Sequence, residues 1–246
     1  MRRVLFLILA LLASSTRAFA TPAFVQASAW TNDGGASTCT IAAFNPSSGN
    51  NIIVLVAQTG SDATADYSVS DSVDGAYTEE TAARVENTTR EINFHRRYNV
   101  SSGSRTITVT QTNSATNFSC VAVEVSTAGG TSLTYDTSGS NTLTTTTSWA
   151  GSSVAKSTAA QVIVFAVGAM NGAPGAQTLG SGYTLVATPA GNHYAEYRVS
   201  ASSLGSETGP WTTTNARSGP AALASFKEST GGGTSTGRRA MRGWGG

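Results

Sequence analysis

Apolar and polar positions alternate along most of this chain with a period of two, and no stretch sustains the period of an amphipathic helix. Arg105 to Thr112 reads RTITVTQT, which sets Ile107 and Val109 on one face and Thr106, Thr108 and Thr110 on the other, a half-exposed strand with threonines outward. Phe118 to Ser126, FSCVAVEVS, puts Val121, Val123 and Val125 on one face and Cys120, Ala122 and Glu124 on the other. Asn51 to Gln58, NIIVLVAQ, is an apolar run of strand length, as in a strand buried on both faces. Asp74-Gly75, between YSVSDSV and AYTEET, predicts a tight hairpin.

The same pattern occurs twice, at an offset of roughly 100 to 110 residues. NIIVLVAQ at Asn51 matches QVIVFAVG at Gln161, and VDGAYTEETA at Val73 answers GSGYTLVATP at Gly180, aligning Tyr77 with Tyr183. RRYNVSSGS at Arg96 answers EYRVSASSLGS at Glu196, aligning Tyr98 with Tyr197, and FSCVAVEVSTAGG at Phe118 matches AALASFKESTGGG at Ala221. The expected fold is therefore all-β, an antiparallel β-sandwich of jelly-roll or Ig-like type, built from two internal repeats (about 24–127 and 132–228). Tandem small sandwiches are the alternative. The short junction at Ala128 to Ser132, with no Pro-rich or charged linker, favours one shared core.

At these blocks the chain resembles a β-sandwich module of bacterial secreted, cell-surface and phage-encoded proteins. The shared pattern is VSDSVDGAYT from Val69, then YNVSSGSRTITVT, then VAVEVSTAGG. The chain departs from it at Val73-Asp74-Gly75-Ala76, where the module carries Gly-Asn, and at Val125, where it carries an aromatic residue. The motifs are structural, so the resemblance implies a fold and a compartment more than an activity.

The N-terminus adds the compartment. Met1, Arg2 and Arg3 precede an apolar VLFLILALLA and an Ala18-Phe19-Ala20 end, the layout of a secretory signal peptide over residues 1–20. The apolar run is too short to span a bilayer, a retained anchor being the alternative reading, and no later stretch is apolar enough to span. Removing Arg2, Arg3 and Arg17 turns 15 basic against 14 acidic residues into 12 against 14, a mature charge of −2 that argues against nucleic acid as partner. Segment 229–246, STGGGTSTGRRAMRGWGG, has no means of burying a core. It reads as a flexible end or as a docking peptide through Arg238, Arg239, Arg242 and Trp244, and its basic, Gly-rich tip is similar to ends of phage-derived proteins. Export also brings an oxidising environment, in which Cys39 and Cys120, the two cysteines, pair as a disulfide or remain as buried thiols.

Candidate chemistry is sparse. The two histidines, His95 and His193, lie in strand segments at similar places in the repeats, as a shared structural slot would. Two histidines and two distant cysteines lack the spacing of a zinc site. DSVDG from Asp71, with Glu79 beyond it, offers a weak calcium candidate in Asp71, Asp74 and Glu79, against the reading that Asp and Gly serve the hairpin turn itself. No other cofactor is implied. Glu91 with Glu124 is a carboxylate pair whose separation would decide whether it suits glycoside hydrolysis. Glu124 and Lys227 align across the repeat and could pair if the halves pack about a twofold axis. Trp30, Trp149, Trp211, Tyr67 and Tyr183, beside turns or in Thr/Ser-rich segments, are candidates for an aromatic sugar platform, with core burial as the alternative. The expected function is a secreted or surface-associated, non-enzymatic binding or adhesion module, taking a glycan or a surface protein. The alternatives are a structural component of a cell surface or virion, and a polysaccharide hydrolase.

Overall fold

The computed structural model describes residues 22–32, 35–60, 66–87, 90–112, 117–127, 132–155, 162–189, 191–200 and 205–229. The segment 1–20 expected to be a signal peptide and the tail residues Arg238, Arg239, Arg242 and Trp244 lie outside the described residues.

Alternation translates into strands almost throughout. The first half contains β1 (Ala23–Ala27), β2 (Thr31–Asn32), β3 (Thr38–Phe44), β4 (Asn51–Gln58), β5 (Tyr67–Asp71) and β6 (Gly75–Ala76). It continues with β7 (Thr78–Glu79), a 3-10 turn at Thr81–Ala83, β8 (Val85–Asn87), β9 (Arg90–Arg97), β10 (Arg105–Gln111) and β11 (Phe118–Ser126). The second half contains β12 (Leu133–Trp149), β13 (Val154–Ala155), β14 (Val162–Ala169), β15 (Gln177–Thr178), β16 (Thr184–Leu185), β17 (His193–Ser200), β18 (Ser206–Glu207) and β19 (Trp211–Glu228). The described strand pairs are antiparallel. No described helix is long and apolar enough to cross a membrane.

Strands β4 and β14 dictate the layering, because both of their faces are apolar and each face must be covered. Ile53, Leu55 and Ala57 of β4, with Ile163, Phe165 and Val167 of β14, meet in one hydrophobic cluster between the halves. Ile52, Val54 and Val56 turn the other way, onto Ile41, Val69, Ile107 and Val109 of the four-stranded sheet β3-β10-β5-β6. Val162, Val164 and Ala166 likewise turn outward, onto Trp149, Val154, Tyr183 and Trp211. The result is two sandwiches back to back with a shared central core. The expected all-β sandwich with a core shared by both repeats holds, and two strands with apolar residues on both faces require a further layer on each outer side.

The halves are duplicates in topology as well as in sequence. The central sheet of the first half runs β1-β11-β4-β9-β7 and that of the second runs β12-β19-β14-β17-β16, matching place for place. Where the first half breaks its chain into β1 and β3, and into β10 and β11, the second runs through without a loop, giving β12 of 17 residues and β19 of 18. The long ladder bends at Gly219, which pairs with Leu143 just before the register shifts. Its φ of +155° and the Ala169 carbonyl oxygen, 1.9 Å from where a Cβ would sit, admit no side chain there.

The ladders also correct three expectations. Leu55 faces Phe94, and its equivalent Phe165 faces Tyr197, so Phe94 rather than Tyr98 is the counterpart of Tyr197. His95 faces Val54, but His193 faces Ala169 at the opposite end of its strand pair, so the histidines do not share a slot. Lys227 pairs with Asp136 at 2.9 Å, whereas Glu124 is buried and accepts from Gln26, Asn50 and the Ser47 backbone N–H, so Glu124 and Lys227 form no pair. The Tyr77–Tyr183 match holds: both rings are buried under the outer layers just before β7 and β16.

Several expectations hold. Ile107 and Val109 are buried and Thr106 is exposed, and the Asp74-Gly75 hairpin joins β5 to β6, with Gly75 at φ +83°. Cys39 on β3 and Cys120 on β11 form a disulfide, tying the outer sheet to the central sheet across 81 residues of chain. In the chain-entropy view a loop of that length stabilises the fold by about 4 kcal/mol. Replacing both cysteines by alanine should lower the unfolding free energy by roughly that amount in urea titration; a change below ~1 kcal/mol would contradict this role.

Candidate functional site

The outer faces of the two halves are covered differently. Over the first half lies a four-stranded sheet closed by the disulfide. Over the second lie the far ends of β12 and β19, the short β15, and the pair β13–β18. Trp149 and Trp211 face each other across the β12–β19 ladder and point inward, where their rings stack at 5.8 Å. Trp211 lies so close to Gly168 that a Cβ there would come within 2.5 Å of the indole. On its other side Trp211 stacks on Tyr194 of β17, at 5.0 Å. Three rings thus form a continuous stack under this outer layer.

Two open depressions border the stack. One, of about 410 Å³, is lined by Trp149 and Trp211 with Leu143, Leu179, Pro210 and the polar Asn141, Ser148, Thr178, Ser181 and Thr212. The other, of about 510 Å³, is lined by Tyr194, Leu179, Leu185, Gln177 and two prolines. Leu179 belongs to both and is among the most exposed large apolar side chains of the described residues. Neither lining contains a charged residue.

Four buried polar atoms at this place lack a hydrogen-bond partner among the described residues: the indole Nε1 of Trp149 and of Trp211, Gln177 Oε1, and Glu196 Oε1. Glu196 on β17 lies behind the groove and is fully buried. Its Oε2 accepts from the Gly180 backbone N–H at 3.0 Å and from the Tyr194 hydroxyl at 2.9 Å, anchoring the Leu179–Gly180 loop to the central sheet. Burial pushes its carboxyl up to about 7, with those two hydrogen bonds opposing the shift.

Of the five aromatic candidates, the structure brings Trp149 and Trp211 together at one depression. Both are almost completely buried, so they form its floor rather than an exposed stacking platform. Trp30 is buried between the halves and stacks on His193 at 5.8 Å. Tyr67 packs on Phe118 and donates to Gln58; Tyr183 packs beneath the outer layer and donates to Glu207 at 3.0 Å. These three are core residues. Leu179, Tyr194 and Glu196 were missed, although Tyr194 and Glu196 two apart on a strand share a face, which is a legible signal.

The acidic hairpin has a structural explanation. Asp71 Oδ1 accepts from the backbone N–H of Val73 and Asp74, and Oδ2 accepts from the Tyr77 hydroxyl and from the guanidinium of buried Arg105. Asp74 accepts from the same guanidinium at 2.6 Å and from Ser101. Burial pushes both carboxyls up, and these hydrogen bonds outweigh it, holding both below the usual range. Arg105 supplies the positive charge that calcium would have supplied. Glu79 faces Arg84 at 3.9 Å instead, and the described residues contain no cluster of His, Cys, Asp and Glu suited to a metal.

Glu91 and Glu124 do not form a catalytic pair. They face Gln58 and Ile52, opposite ends of β4 and so roughly 20 Å apart, well beyond the separations glycosidases use. Glu91 is fully buried, receives Asn93 and Arg84, and is pushed by burial up to about 7. His95 is buried and pushed down to about 4 for the same reason. No protein-family model, curated protein or solved structure matches the chain.

Two predictions follow from these buried charges. Arg105→Met strands Asp71 without its cation and should cost about 3–5 kcal/mol in urea unfolding, while adding calcium or chelator leaves the wild-type midpoint unchanged; a calcium-dependent midpoint would overturn the Arg105 account. Glu196, raised from 4.5 to about 7, holds a proton in the folded chain that the unfolded chain has lost between those values. Its contribution to stability is therefore present at low pH and lost as pH rises through about 7. Glu196→Gln should gain on the wild type by up to ~3 kcal/mol between pH 5 and pH 8, since Glu91 and His95 titrate alike in both. A pH-independent difference would refute the buried-acid assignment.

Proposed function

We propose that this is an exported, non-enzymatic binding or adhesion module with carbohydrate as its ligand class, which it takes at the Trp149–Trp211 depression. The observation that carries this reading is the pair of stacked indoles whose N–H groups lack an acceptor among the described residues, set in a depression ringed by hydroxyl and amide side chains. Apolar carbon flanked by hydrogen-bonding groups is the surface that sugar rings present in complement. The signal-peptide pattern of residues 1–20 supports export, and the disulfide is compatible with it.

A second reading, a structural component of a cell surface or virion, is favoured by the outer sheet of the first half. Its solvent face carries Thr38, Thr40, Ser68, Ser70 and Thr106, an uncharged array of hydroxyl side chains suited to contact between large surfaces.

Affinity electrophoresis of residues 21–246 through gels containing bacterial and plant polysaccharides separates the two. Retardation by one polysaccharide, abolished by Leu179→Asp at the exposed rim, is the expected result. Unaltered migration across the whole panel would reject the carbohydrate reading in favour of assembly.

A further inference from the structure

Resting on that reading of the site, we infer that the two depressions are subsites of one groove, and that its ligand is a neutral, linear oligosaccharide long enough to cross Leu179. The two depressions share Leu179 as a common wall, and their floors are joined by the Tyr194–Trp211–Trp149 stack. An elongated ligand lying across that wall would contact both without any rearrangement of the core strands beneath.

The unpartnered groups fix the polarity of this ligand. Burying an N–H or a carbonyl without a partner costs about 1–3 kcal/mol each, so such groups in a lined depression point to a ligand that completes them. Trp149 and Trp211, each with an unpartnered buried indole N–H, line one subsite, and Gln177, with an unpartnered buried Oε1, lines the other. A hydroxyl both donates and accepts, so a chain of hydroxyl-bearing units satisfies both ends, whereas a purely apolar segment satisfies neither. The absence of any charged side chain from either lining selects against uronic acids, phosphates and amines, each of which would be desolvated there without a counter-charge.

Leu179 is placed to act as the divider because its loop is not loose. The next residue, Gly180, donates its N–H to Glu196, and a Cβ at Gly180 would come within 2.1 Å of the Pro210 carbonyl oxygen. The rim is therefore pinned from below on a central strand, which preorganises the groove and limits the entropy lost on binding.

Calorimetric titration tests this with β-1,4-linked glucose and N-acetylglucosamine oligomers of two to six units, and galacturonic acid oligomers as the charged counterpart. Affinity should rise by about tenfold or more from the shortest to the longest neutral oligomer, and the charged series should not bind. Ala173→Glu alters one subsite alone and Ser181→Glu the other, both at exposed positions. Each should reduce affinity for the longest oligomer by about tenfold or more, and Leu179→Asp should abolish binding. Affinity independent of length, or silence of one of the two single-subsite variants, would overturn the groove while leaving a one-pocket carbohydrate module intact. Preference for the charged series would overturn the neutral assignment, and binding of no oligomer by a protein with unchanged circular dichroism would overturn both the groove and the reading on which it rests.

Discussion

The structure depends on the burial of β4 and β14 on both faces. A strand with apolar residues on both faces cannot stand at a surface, so each half must place one layer outside its central sheet and another against it. The inner requirement is met mutually: Ile53 and Leu55 of one half pack with Phe165 and Val167 of the other, and Phe24 stacks on Tyr197 at 4.2 Å across the junction. Neither half would cover this face alone. The two repeats are joined by the hydrophobic effect acting on their central strands, and the short covalent link between them is secondary.

The outer requirement is met in two ways. In the first half a four-stranded sheet, a disulfide and the Arg105–Asp71–Asp74 network close the outer face. In the second half the corresponding strands are continuous with the central sheet through the bend at Gly219, and large rings do the filling: Trp211 occupies the space that Gly168 leaves by having no side chain. Large planar side chains on small backbone positions leave clefts at their edges, and the two uncharged depressions border those rings. Unequal closure thus leaves the open depressions over the second half, while a full sheet covers the outer face of the first.

Most of the layering was legible in the chain because it is carried by strict period-two patterns. The faces of β10 and β11, the double burial of β4 and the Tyr77–Tyr183 match could be read directly. The architecture beyond two sheets was not read, since the apolar residues on both faces of β4 and β14 state that a cover exists without stating what supplies it. Gly219 and Pro220 lie inside an unbroken ladder, at a register shift set against the partner strand between Leu143 and Thr146. The burial of Trp149 and Trp211 was recoverable, because Ser148 and Thr212 beside them face outward and alternation turns the rings inward. The hairpin carboxylates suggested calcium only because Arg105, 34 residues from Asp71, cannot be placed beside them from local sequence.

The shared core is the claim on which the remaining account stands, and differential scanning calorimetry of residues 21–246 with the disulfide intact tests it most directly. A core built by both halves requires them to unfold together, so the account predicts one transition whose calorimetric and van't Hoff enthalpies agree. Two resolved transitions, or a calorimetric enthalpy about twice the van't Hoff value, would show that the halves are independent sandwiches and would contradict it.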